Sequence, residues 1–307
     1  MRGCFLILNY KDSDITQEAV RHLKELDDIN ECSIIIFDNG SDNGSLELLN
    51  RVYADDDRVI VGGSEANLGF SEGNNAAYKL ALAHCDHYDF AVAMNSDVMI
   101  YQKDFIGRIK KHIEEGEFAV MGPDIFNSPR KAHDNPLFSE IPSAEEIERH
   151  ISSHEYQLKN IGATVSKLRI RSVLARVLPE RVFMIYRKIR KDHNSDNYWK
   201  KQYDPVLNGC CLIYLRQYLE HETLLFEPDT FLYGEEILLS LKCKTRGYRI
   251  LYDPALQIEH RESVSTKAGK TSEEYIKQKN EKLIRAYKIV KKYVEDNPWD
   301  TSSGQTK

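Results

Sequence analysis

The fold is decided by the stretch Phe90-Ala-Val-Ala-Met-Asn-Ser-Asp-Val-Met-Ile100. Its first five residues are apolar, as expected of a strand that is buried on both faces of a parallel sheet. Asn95-Ser96-Asp97 then ends the strand, at the edge where open α/β sheets bind ligands. A buried carboxylate requires a cation or hydrogen-bond donors, so we predict that Asp97, helped by Asn95, holds a divalent cation carrying a diphosphate. On this stretch alone, a turn in which both side chains bond local backbone groups explains the pattern equally well.

Length and composition indicate a globular protein with a sizeable core. The chain has 307 residues, 41% of them hydrophobic and 29% charged, enough for one large α/β domain with insertions or two small domains. The formal net charge of −6 argues against non-specific binding of nucleic acid by the whole chain. The 6 cysteines form no CxxC pair and lie mostly in apolar runs, which is typical of buried free thiols in a reducing compartment.

No segment has the pattern of a secretion signal or a membrane span. The apolar run at the N-terminus is too short for a signal peptide and leads directly into a strand. No apolar run approaches the roughly 18 residues that a membrane helix requires. We therefore expect a soluble, cytoplasmic protein that is at most peripheral to the inner face of the plasma membrane.

Strand and helix patterns alternate through the first part of the chain, which predicts a parallel, doubly wound sheet. The predicted strands are Cys4–Leu8, Ser33–Phe37, Arg58–Val61, Phe90–Met94 and Phe118–Gly122. The predicted helices are Ile15–Leu26, Leu46–Tyr53, Ala76–His84 and Phe105–Glu115. The alternation stops near residue 127 in a proline-punctuated interval without a convincing strand. It resumes at residue 205 and is followed by an amphipathic helix over Glu273–Val294.

Several short motifs occur in the order seen in family 2 glycosyltransferases. They are Leu8-Asn9-Tyr10, Asp38-Asn-Gly-Ser41, Asn67-Leu-Gly-Phe70, Glu72-Gly-Asn-Asn75, Asn95-Ser-Asp-Val98, Asn208-Gly209, Phe231-Leu-Tyr-Gly-Glu-Glu236, Gly247-Tyr248 and Ile258-Glu-His260. The sequence most resembles bacterial rhamnosyltransferases and O-antigen or capsule transferases. The resemblance implies a GT-A fold with a Rossmann-like, mostly parallel central sheet flanked by helices. It also implies a nucleotide-sugar donor, a Mg²⁺ or Mn²⁺ ion and inversion at the anomeric carbon.

The resemblance also implies what each part of the chain does. We expect a nucleotide-sugar-binding half at 1–126, a mainly helical basic insertion at 127–204, an acceptor and catalytic half at 205–262, and a C-terminal helical extension at 263–307. The implied reaction moves a sugar from a UDP- or dTDP-sugar to a hydroxyl of a bacterial surface glycan or a lipid-linked acceptor. No nucleic-acid partner is expected, and a homodimer stays open.

Polar and glycine residues near the strand ends form the predicted nucleotide-sugar site. They are Asn9, Tyr10, Asp38, Asn67, Gly69, Gly73, Asn75, Asn95 and Asp97. Asp38 can accept from a pyrimidine N–H or a ribose hydroxyl, although capping of a turn fits the local sequence about as well. Gly69 and Gly73 allow close approach of the backbone to a ligand, and a helix starting at Asn74 offers free N–H groups. A loop-to-helix junction with asparagine caps is the alternative.

Asp97 and His260 are the predicted metal ligands. Asn95 occupies the first position of a motif that has two aspartates in other members of the resembled family, so a single carboxylate remains. One carboxylate, diphosphate oxygens and water suit Mg²⁺ or Mn²⁺. The family places a histidine at the position of His260, whereas without that context a lone histidine after a strand is more often structural.

The acidic pair Glu235-Glu236 supplies the predicted catalytic base. A hydroxyl acceptor must lose its proton as it attacks, so a carboxylate must lie near the anomeric carbon. The second acid of the family's pair is the usual base, which favours Glu236 over Glu235. The alternative is a pair of helix N-terminal acids that interact with the helix dipole. Asn208 and Gly209 are expected to line the acceptor side.

Lys and Arg residues dominate the segment 167–191, where Glu180 is the single acid. Its apolar residues recur at helical spacing, which predicts a basic amphipathic helix. Such a helix fits a membrane surface that carries a lipid-linked acceptor. A helical cap that packs its apolar stripe on the core explains the same pattern.

Two other classes of function remain open at this stage. A sugar-phosphate nucleotidyltransferase shares the sheet type, but it requires a glycine-rich basic loop after the first strand, and Asn9-Tyr-Lys-Asp12 does not supply one. A non-catalytic module that binds a nucleotide or sugar is the second alternative. The acids Asp97, Glu235 and Glu236, together with His260, argue against that module.

Overall fold

A mixed sheet organises the computed structural model of the chain, which describes residues 1–167, 197–262 and 271–297. The strands are β1 Gly3–Asn9, β2 Cys32–Asn39, β3 Val59–Ser64, β4 Phe90–Asn95, β5 Val98–Met99, β6 Val120–Asn127, β7 Ala132–His133, β8 Gln202–Tyr203, β9 Cys211–Leu215 and β10 Ile250–His260. Their order across the sheet is β3-β2-β1-β4-β9-β6-β10-β5, with β7 beside β6 and β8 beside β10. The predicted α/β class, with a Rossmann-like sheet flanked by helices, is confirmed.

Helices cover both faces of this sheet. They are α1 Ser13–Leu23, α2 Ser45–Val52, α3 Phe70–His84, α4 Phe105–Glu115, α5 Ala144–Lys159, α6 Arg216–Leu219, α7 Glu235–Arg246 and α8 Ser272–Asp296. A capping box starts α5 at Ser143 and another starts α8 at Thr271, so both helix starts are encoded locally. Apolar residues of α5, α7 and α8 then pack into one cluster beside the sheet.

The central strand β4 has the burial that its sequence predicts. Phe90, Val92 and Met94 lie in one apolar cluster, whereas Ala91 and Ala93 lie in the cluster on the opposite face of the sheet. Successive side chains of a strand point to opposite faces, so an uninterrupted apolar run is required when both faces are covered. The polar residues after Met94 therefore lie at the carboxyl edge of a fully buried strand.

The sheet is mixed because β9 runs antiparallel to both of its neighbours, β4 and β6. β6 ends at the carboxyl edge of the sheet, and Asn208 lies at that edge too, because its side chain donates to the Asp134 carbonyl. β9 therefore starts where its neighbours end. This direction brings residues 208–210 to the edge at which β4 presents Asn95 and Asp97.

Several element boundaries differ from the prediction. α3 starts at Phe70 rather than at Asn74 or Ala76, because Gly69 turns the chain at φ +85° and the Phe70 N–H donates to the Phe231 carbonyl. β10 is one continuous strand with an irregular register between Asp253 and Gln257, longer than the short strand Arg249–Tyr252 that the apolar pattern predicts. The strands β7 and β8 lie in an interval that was predicted to have none.

Other predictions concern membranes, thiols and the basic segment. The helices within the described ranges include none that is long and apolar enough to span a bilayer. All six cysteines are free thiols, as predicted, and Cys85 is the most accessible of them. The predicted basic amphipathic helix at 167–191 lies, apart from Lys167, outside the described residues.

Candidate active site

The carboxyl edge of the sheet carries two groups of polar residues. The first, which we call the β1–β2 group, lies at the ends of β1 and β2 and at the start of α3. The second, the β4–β10 group, lies at the ends of β4, β6 and β10 and at the start of α7. The members of the β1–β2 group are Asn9, Asp38, Asn39, Asn67 and Asn75, and those of the β4–β10 group are Asp97, Asp134, Glu235, Glu236 and His260.

Asp38 is buried at the centre of the β1–β2 group. Its Oδ1 accepts from the Ser41 N–H at 2.9 Å, and its Oδ2 accepts from the Ser41 hydroxyl at 2.7 Å and the Asn9 amide at 2.6 Å. The side-chain oxygen of Asn9, Oδ1, in turn accepts from the Thr16 hydroxyl of α1 at 2.7 Å. This network is the turn-capping arrangement that the sequence left open for Asp38, and contact of Asp38 with a base or ribose stays a prediction.

Asn39 is a member of the group that the sequence analysis missed. Its amide nitrogen donates to the Gly69 carbonyl at 2.8 Å, and its oxygen accepts from the Leu68 N–H at 3.0 Å. Asn67 bends the same loop by accepting from the Gly69 N–H at 2.8 Å. The asparagine in Asp38-Asn39-Gly40 was the available signal, because it directly follows the buried acid.

The two glycines predicted to approach a ligand are needed for close contacts within the protein. A Cβ at Gly69 would lie 2.4 Å from the Phe231 carbonyl oxygen, and one at Gly73 would lie 2.9 Å from Leu8 and 3.0 Å from the Asn39 amide. The contact at Gly69 is too short for any side chain because it is made with backbone, whereas a side chain at Gly73 would force Leu8 and Asn39 to shift. The described contacts therefore assign both glycines a packing role.

Asn75 requires a correction, because its side chain faces the protein interior. Its amide oxygen accepts from the Leu225 and Phe226 N–H groups at 3.0 Å each, and its nitrogen donates to the Phe226 carbonyl at 2.9 Å. With α3 starting at Phe70, Asn75 lies in the second turn and not at the helix start. Asn75 fastens α3 to the segment before α7, so the expected amide contact with a nucleotide sugar is not supported.

Tyr10 and Asn95 lie at the ends of β1 and β4, as predicted. Tyr10 is partly buried, and the Lys11 ammonium lies 5.2 Å from its ring centroid. Asn95 is also partly buried and donates its backbone N–H to the Cys210 carbonyl at 2.9 Å. Asn95 thus joins β4 to the start of β9 and lies between the two groups.

Asp97 and His260 come together in the β4–β10 group, as predicted from sequence. Asp97 Oδ1 and His260 Nε2 are 3.3 Å apart, with both side chains largely buried. The pairing of His260 with Val98 across β10 and β5, and the Arg261 N–H donating to the Asp97 carbonyl at 3.0 Å, fix the two chain segments relative to each other. The Nδ1 atom of His260 is buried without a hydrogen-bond partner among the described residues.

The acidic pair opens α7 after a sharp turn. Tyr233 and Gly234 have φ angles of 75° and 85°. Residues with a side chain are strained at such angles, and Gly234 has no side chain to cause that strain. Glu235 is buried, and its Oε2 has no hydrogen-bond partner among the described residues. Burial and the neighbouring Glu236 raise the pKa of Glu235 well above its usual value.

Glu236 points toward the start of β9. A Cβ at Gly209 would lie 3.1 Å from Glu236 Oε1, so the absence of a side chain at Gly209 leaves room for the carboxylate. Burial raises the pKa of Glu236, while the N–H groups of Glu236, Gly209 and Gly234 oppose that rise. A carboxylate with a raised pKa is a stronger base than an exposed one, which suits proton abstraction.

Helix α8 covers the acidic pair with Tyr287. Burial raises the pKa of Tyr287 to about 12, and the charges of Glu236 and Glu235 add to that rise. His150 and His154 of α5 stack on the Tyr287 ring, with centroids 5.5 and 6.0 Å away. The sequence offered no signal for Tyr287 beyond its place in an amphipathic helix.

Asp134 is an acid of this group that the sequence analysis also missed. Its Oδ2 accepts from the Asn127 amide at 2.8 Å and from the Arg130 guanidinium at 2.5 Å. Burial raises the pKa of Asp134 against the opposing charge of Arg130, and Glu262 adds to the rise. Arg130 also pairs with Glu262 at 2.8 Å, close to the end of β10.

The buried thiol of Cys210 lies among these acids. Burial raises its pKa well above the usual value, and the charges of Cys211, Asp97, Asp134 and Glu236 add to the rise. Asn208 is predicted to line the acceptor side, and in the structure its side-chain amide bonds two backbone groups. Its nitrogen donates to the Asp134 carbonyl at 3.1 Å and its oxygen accepts from the Cys210 N–H at 3.0 Å.

The donor atoms of Asp97 and His260 fit a divalent cation. One carboxylate oxygen and one imidazole nitrogen are close enough to share an ion, and both atom types are ligands of Mn²⁺. The described residues contain no group of three or more metal-binding side chains. Substrate oxygens and water commonly complete the ligands of Mg²⁺ at phosphate sites.

Comparison with known proteins identifies the family. The sequence model of Glycosyl transferase family 2 matches residues 4–221. No curated protein matches the chain.

Solved structures share the fold at low sequence identity. A crystal structure of S. aureus TarS residues 1–349 in complex with UDP-GlcNAc is 14% identical, covers 98% of this chain and 68% of that chain, and has a TM-score of 0.55. GalNAc-T7 with UDP, GalNAc and Mn²⁺ is 11% identical, with 96% and 54% covered and a TM-score of 0.55. Mannosyltransferase PcManGT from Pyrobaculum calidifontis, in complex with GDP-Man and Mn²⁺, is 12% identical, with 96% and 73% covered and a TM-score of 0.50.

Proposed function

Because this chain belongs to glycosyl transferase family 2 and is a glycosyltransferase, we propose that it is an inverting, metal-dependent enzyme with a UDP- or dTDP-sugar donor. The proposed acceptor is a hydroxyl of a bacterial surface glycan or of a lipid-linked precursor. The observation that carries this proposal is the 3.3 Å approach of Asp97 and His260 at the edge where Glu236 also lies. The similar folds of TarS with UDP-GlcNAc and of GalNAc-T7 with UDP support a nucleotide-sugar donor.

In the proposed site, Asp97 Oδ1 and His260 Nε2 would hold Mg²⁺ or Mn²⁺. A bound divalent cation neutralises the negative charge that develops on the diphosphate as it leaves. Mn²⁺ in the structures of GalNAc-T7 and PcManGT supports this assignment. The imidazole nitrogen in the pair favours Mn²⁺ over Mg²⁺, since Mg²⁺ prefers oxygen ligands.

Glu236 is the proposed base. Its carboxylate takes the proton of the acceptor hydroxyl as that oxygen attacks the anomeric carbon from the side opposite the diphosphate, which inverts the configuration. The raised pKa of Glu236 makes it a better proton acceptor near neutral pH. Glu235, which is buried and whose Oε2 has no hydrogen-bond partner among the described residues, is the runner-up for this role.

The β1–β2 group is proposed to bind the base and ribose of the donor. The buried network of Asn9, Asp38 and Ser41 would hold the ends of β1 and β2 in place beneath the donor, with the partly buried Tyr10 beside it. A similarity to rhamnosyltransferases and O-antigen or capsule transferases supports a surface glycan as the acceptor. Membrane contact through the basic segment 167–191 is part of the same proposal.

Two assays on the purified chain test the proposed function. A thermal-shift screen of UDP-, dTDP- and GDP-sugars, with Mn²⁺ or with EDTA, should give its largest stabilisation with a UDP- or dTDP-sugar in Mn²⁺. Slow hydrolysis of that donor, followed by ¹H NMR, should first release the anomer opposite to the donor's configuration. Release of the same anomer would contradict inversion, and stabilisation that is equal in EDTA would contradict metal dependence.

A further inference from the structure

Four aromatic rings contact one another in a row beside the candidate active site, and the two in the middle are stacked. Phe126 and His133 have ring centroids 5.6 Å apart, His133 and Tyr198 are stacked at 3.6 Å with an interplanar angle of 11°, and Tyr198 and Trp199 are 5.5 Å apart. Phe126 meets His133 at a tilt of 59° and Trp199 meets Tyr198 edge-on at 85°. Trp199 is 57% exposed and Phe126 is 40% exposed, so both ends of the row face solvent. We call these four residues the aromatic ladder.

The middle of the ladder is held rigidly by buried polar groups. His133 Nδ1 bonds both carboxylate oxygens of Asp124, at 2.8 and 2.9 Å. The Tyr252 hydroxyl donates to the Tyr198 carbonyl at 2.6 Å. Isolated exposed aromatic residues are common on protein surfaces, but rings whose central pair is fixed by a buried network are preorganised, which lowers the entropy cost of binding.

The ladder lies next to the β4–β10 group. Phe126 pairs with His133 across β6 and β7 and with Glu259 across β6 and β10, one position from the pairing of Asn127 with His260. It projects from the same face of β6 as Asp124, two residues earlier, which contacts Tyr252. Tyr252 packs in the apolar cluster that contains Leu239 of α7. The ladder thus shares a face with the helix that carries the acidic pair.

A short chain of contacts connects the ladder to the proposed base. His133 is followed by Asp134, whose carbonyl accepts from the Asn208 amide at 3.1 Å. Asn208 is followed by Gly209, which lies against Glu236. Two short backbone segments, 133–134 and 208–209, therefore link the ladder to Glu236.

We propose that Phe126, His133, Tyr198 and Trp199 form a subsite for a sugar ring of the acceptor glycan, a role that rests on the proposed glycosyl transfer. A pyranose ring has faces made of C–H groups, and aromatic faces carry the negative part of the ring quadrupole, so the two surfaces attract. Hydroxyls at the ring edge require polar partners nearby. Lys200, whose ammonium lies 6.0 Å from the Trp199 ring centroid, and the indole N–H supply donors at that edge.

Saturation-transfer NMR with the full chain and three probes, methyl α-L-rhamnopyranoside, methyl β-D-glucopyranoside and methyl β-D-galactopyranoside, tests this subsite. Irradiation of aromatic protons should transfer saturation to the C–H protons of at least one glycoside. The affinity for that glycoside should fall roughly threefold to tenfold in Trp199→Ala, the range expected for a lost stacking contact. Trp199→Phe should retain most of the affinity, since it keeps a ring at the position.

Two controls keep the outcome specific. Tyr156→Ala removes an equally exposed aromatic side chain on α5, 62% exposed, and should bind the glycosides as the wild type does. Phe126→Leu keeps apolar bulk but removes the ring at the other end of the ladder, and should weaken binding as Trp199→Ala does. Equal binding by wild type and Trp199→Ala, or no transfer to any of the three glycosides, would overturn the subsite. So would a dimer in sedimentation that Trp199→Ala abolishes, because the ladder would then be an interface between copies.

Donor hydrolysis by the wild type separates this inference from the proposed function. Hydrolysis without Trp199-dependent glycoside binding would leave the proposed transfer standing and overturn the subsite. Trp199-dependent glycoside binding without hydrolysis of any nucleotide sugar would support the ladder as a sugar-binding surface and contradict the proposed transfer.

Discussion

The two polar groups at the carboxyl edge of the sheet differ in how their hydrogen bonds are satisfied. In the β1–β2 group, Asn9, Asp38 and Asn75 each use both polar atoms of the side chain in short bonds within the protein. In the β4–β10 group, the buried atoms Glu235 Oε2 and His260 Nδ1 have no partner among the described residues. Leaving buried polar atoms unsatisfied costs free energy.

This difference indicates a division between scaffold and chemistry. A network in which every hydrogen bond is made fixes the local structure. Buried acids with raised pKa values, in contrast, bind protons more readily and occur often at functional sites. Glu235, Glu236 and Asp134 all have raised pKa values, and burial is the first cause for each. We therefore expect substitutions in the β4–β10 group to affect turnover most, and substitutions in the β1–β2 group to affect stability most.

The largest effect is expected for Glu236→Gln. The amide keeps the shape of the side chain but cannot accept the proton, so kcat should fall roughly 10² to 10⁴-fold, the usual worth of a general base. Donor affinity should change little, because the carboxylate acts on the acceptor. In the wild type, turnover should rise with pH as Glu236 loses its proton, with a midpoint above the usual glutamate value because its pKa is raised.

Steady-state kinetics of Glu236→Gln and Glu235→Gln, measured side by side, check this assignment. A dead Glu235→Gln beside a nearly normal Glu236→Gln would exchange the roles of the two acids. Normal turnover in both variants would place the base elsewhere in the chain.

Asn75→Ala should lower stability more than any other single substitution in the β1–β2 group. It leaves the buried N–H groups of Leu225 and Phe226 without their acceptor, and each unsatisfied group costs about 1–3 kcal/mol. We expect the free energy of unfolding in urea to fall by about 2–4 kcal/mol. An unchanged midpoint would show that the segment before α7 is held by other contacts, and loss of donor binding without loss of stability would restore Asn75 to the donor site.

Asp38→Asn should have a smaller effect on the same measurement. One acceptor oxygen becomes an NH₂ group that faces the donors of Asn9 and Ser41. Because both oxygens of Asp38 accept hydrogen bonds, either orientation of the amide places the NH₂ group against a donor. The expected loss is about 1–3 kcal/mol. Donor affinity, measured at a temperature where the variant is folded, distinguishes the two interpretations of Asp38. A loss of stability alone identifies a turn cap, and an additional loss of affinity supports the proposed contact with base or ribose.

The smallest effect is expected for Glu235→Gln, and it should depend on pH. Because the folded-state pKa of Glu235 is raised, the folded protein holds the proton more tightly than the unfolded chain, and stability falls as pH rises above the unfolded value of about 4.3. Glutamine carries no proton to lose. Its melting temperature should exceed that of the wild type at about pH 8 and match it near pH 4. A variant that is less stable at the higher pH would contradict burial of an unpaired acid.

The sequence predicted those parts of the site that follow directly from strand ends. Asp97 and His260 lie beside each other because each ends a strand at the same edge, and their order along the chain matches the family motifs. The start of α7 at Glu235 is also as expected, since the Gly before it and the apolar spacing after it are local signals. β4 was predictable because a strand buried on both faces needs an apolar run.

The sequence could not predict contacts that depend on distant segments. α3 begins at Phe70 because the Phe70 N–H, the first of the helix, donates to the Phe231 carbonyl. The two residues are far apart in the sequence. Asn75 faces Leu225 and Phe226 for the same reason, although its motif indicated a donor contact. The antiparallel direction of β9 depends on where the chain re-enters the sheet, which strand patterns alone do not specify.

The central claim, that Asp97 and His260 hold a cation used to bind the donor, is tested most directly by calorimetry. UDP is titrated into the wild type, Asp97→Ala and Asn39→Ala, each in Mn²⁺ and in EDTA. The comparison separates UDP binding through the ion from UDP binding through the β1–β2 group. The account predicts that Mn²⁺ strengthens UDP binding to the wild type and to Asn39→Ala but not to Asp97→Ala. Equal strengthening by Mn²⁺ in wild type and Asp97→Ala would contradict it.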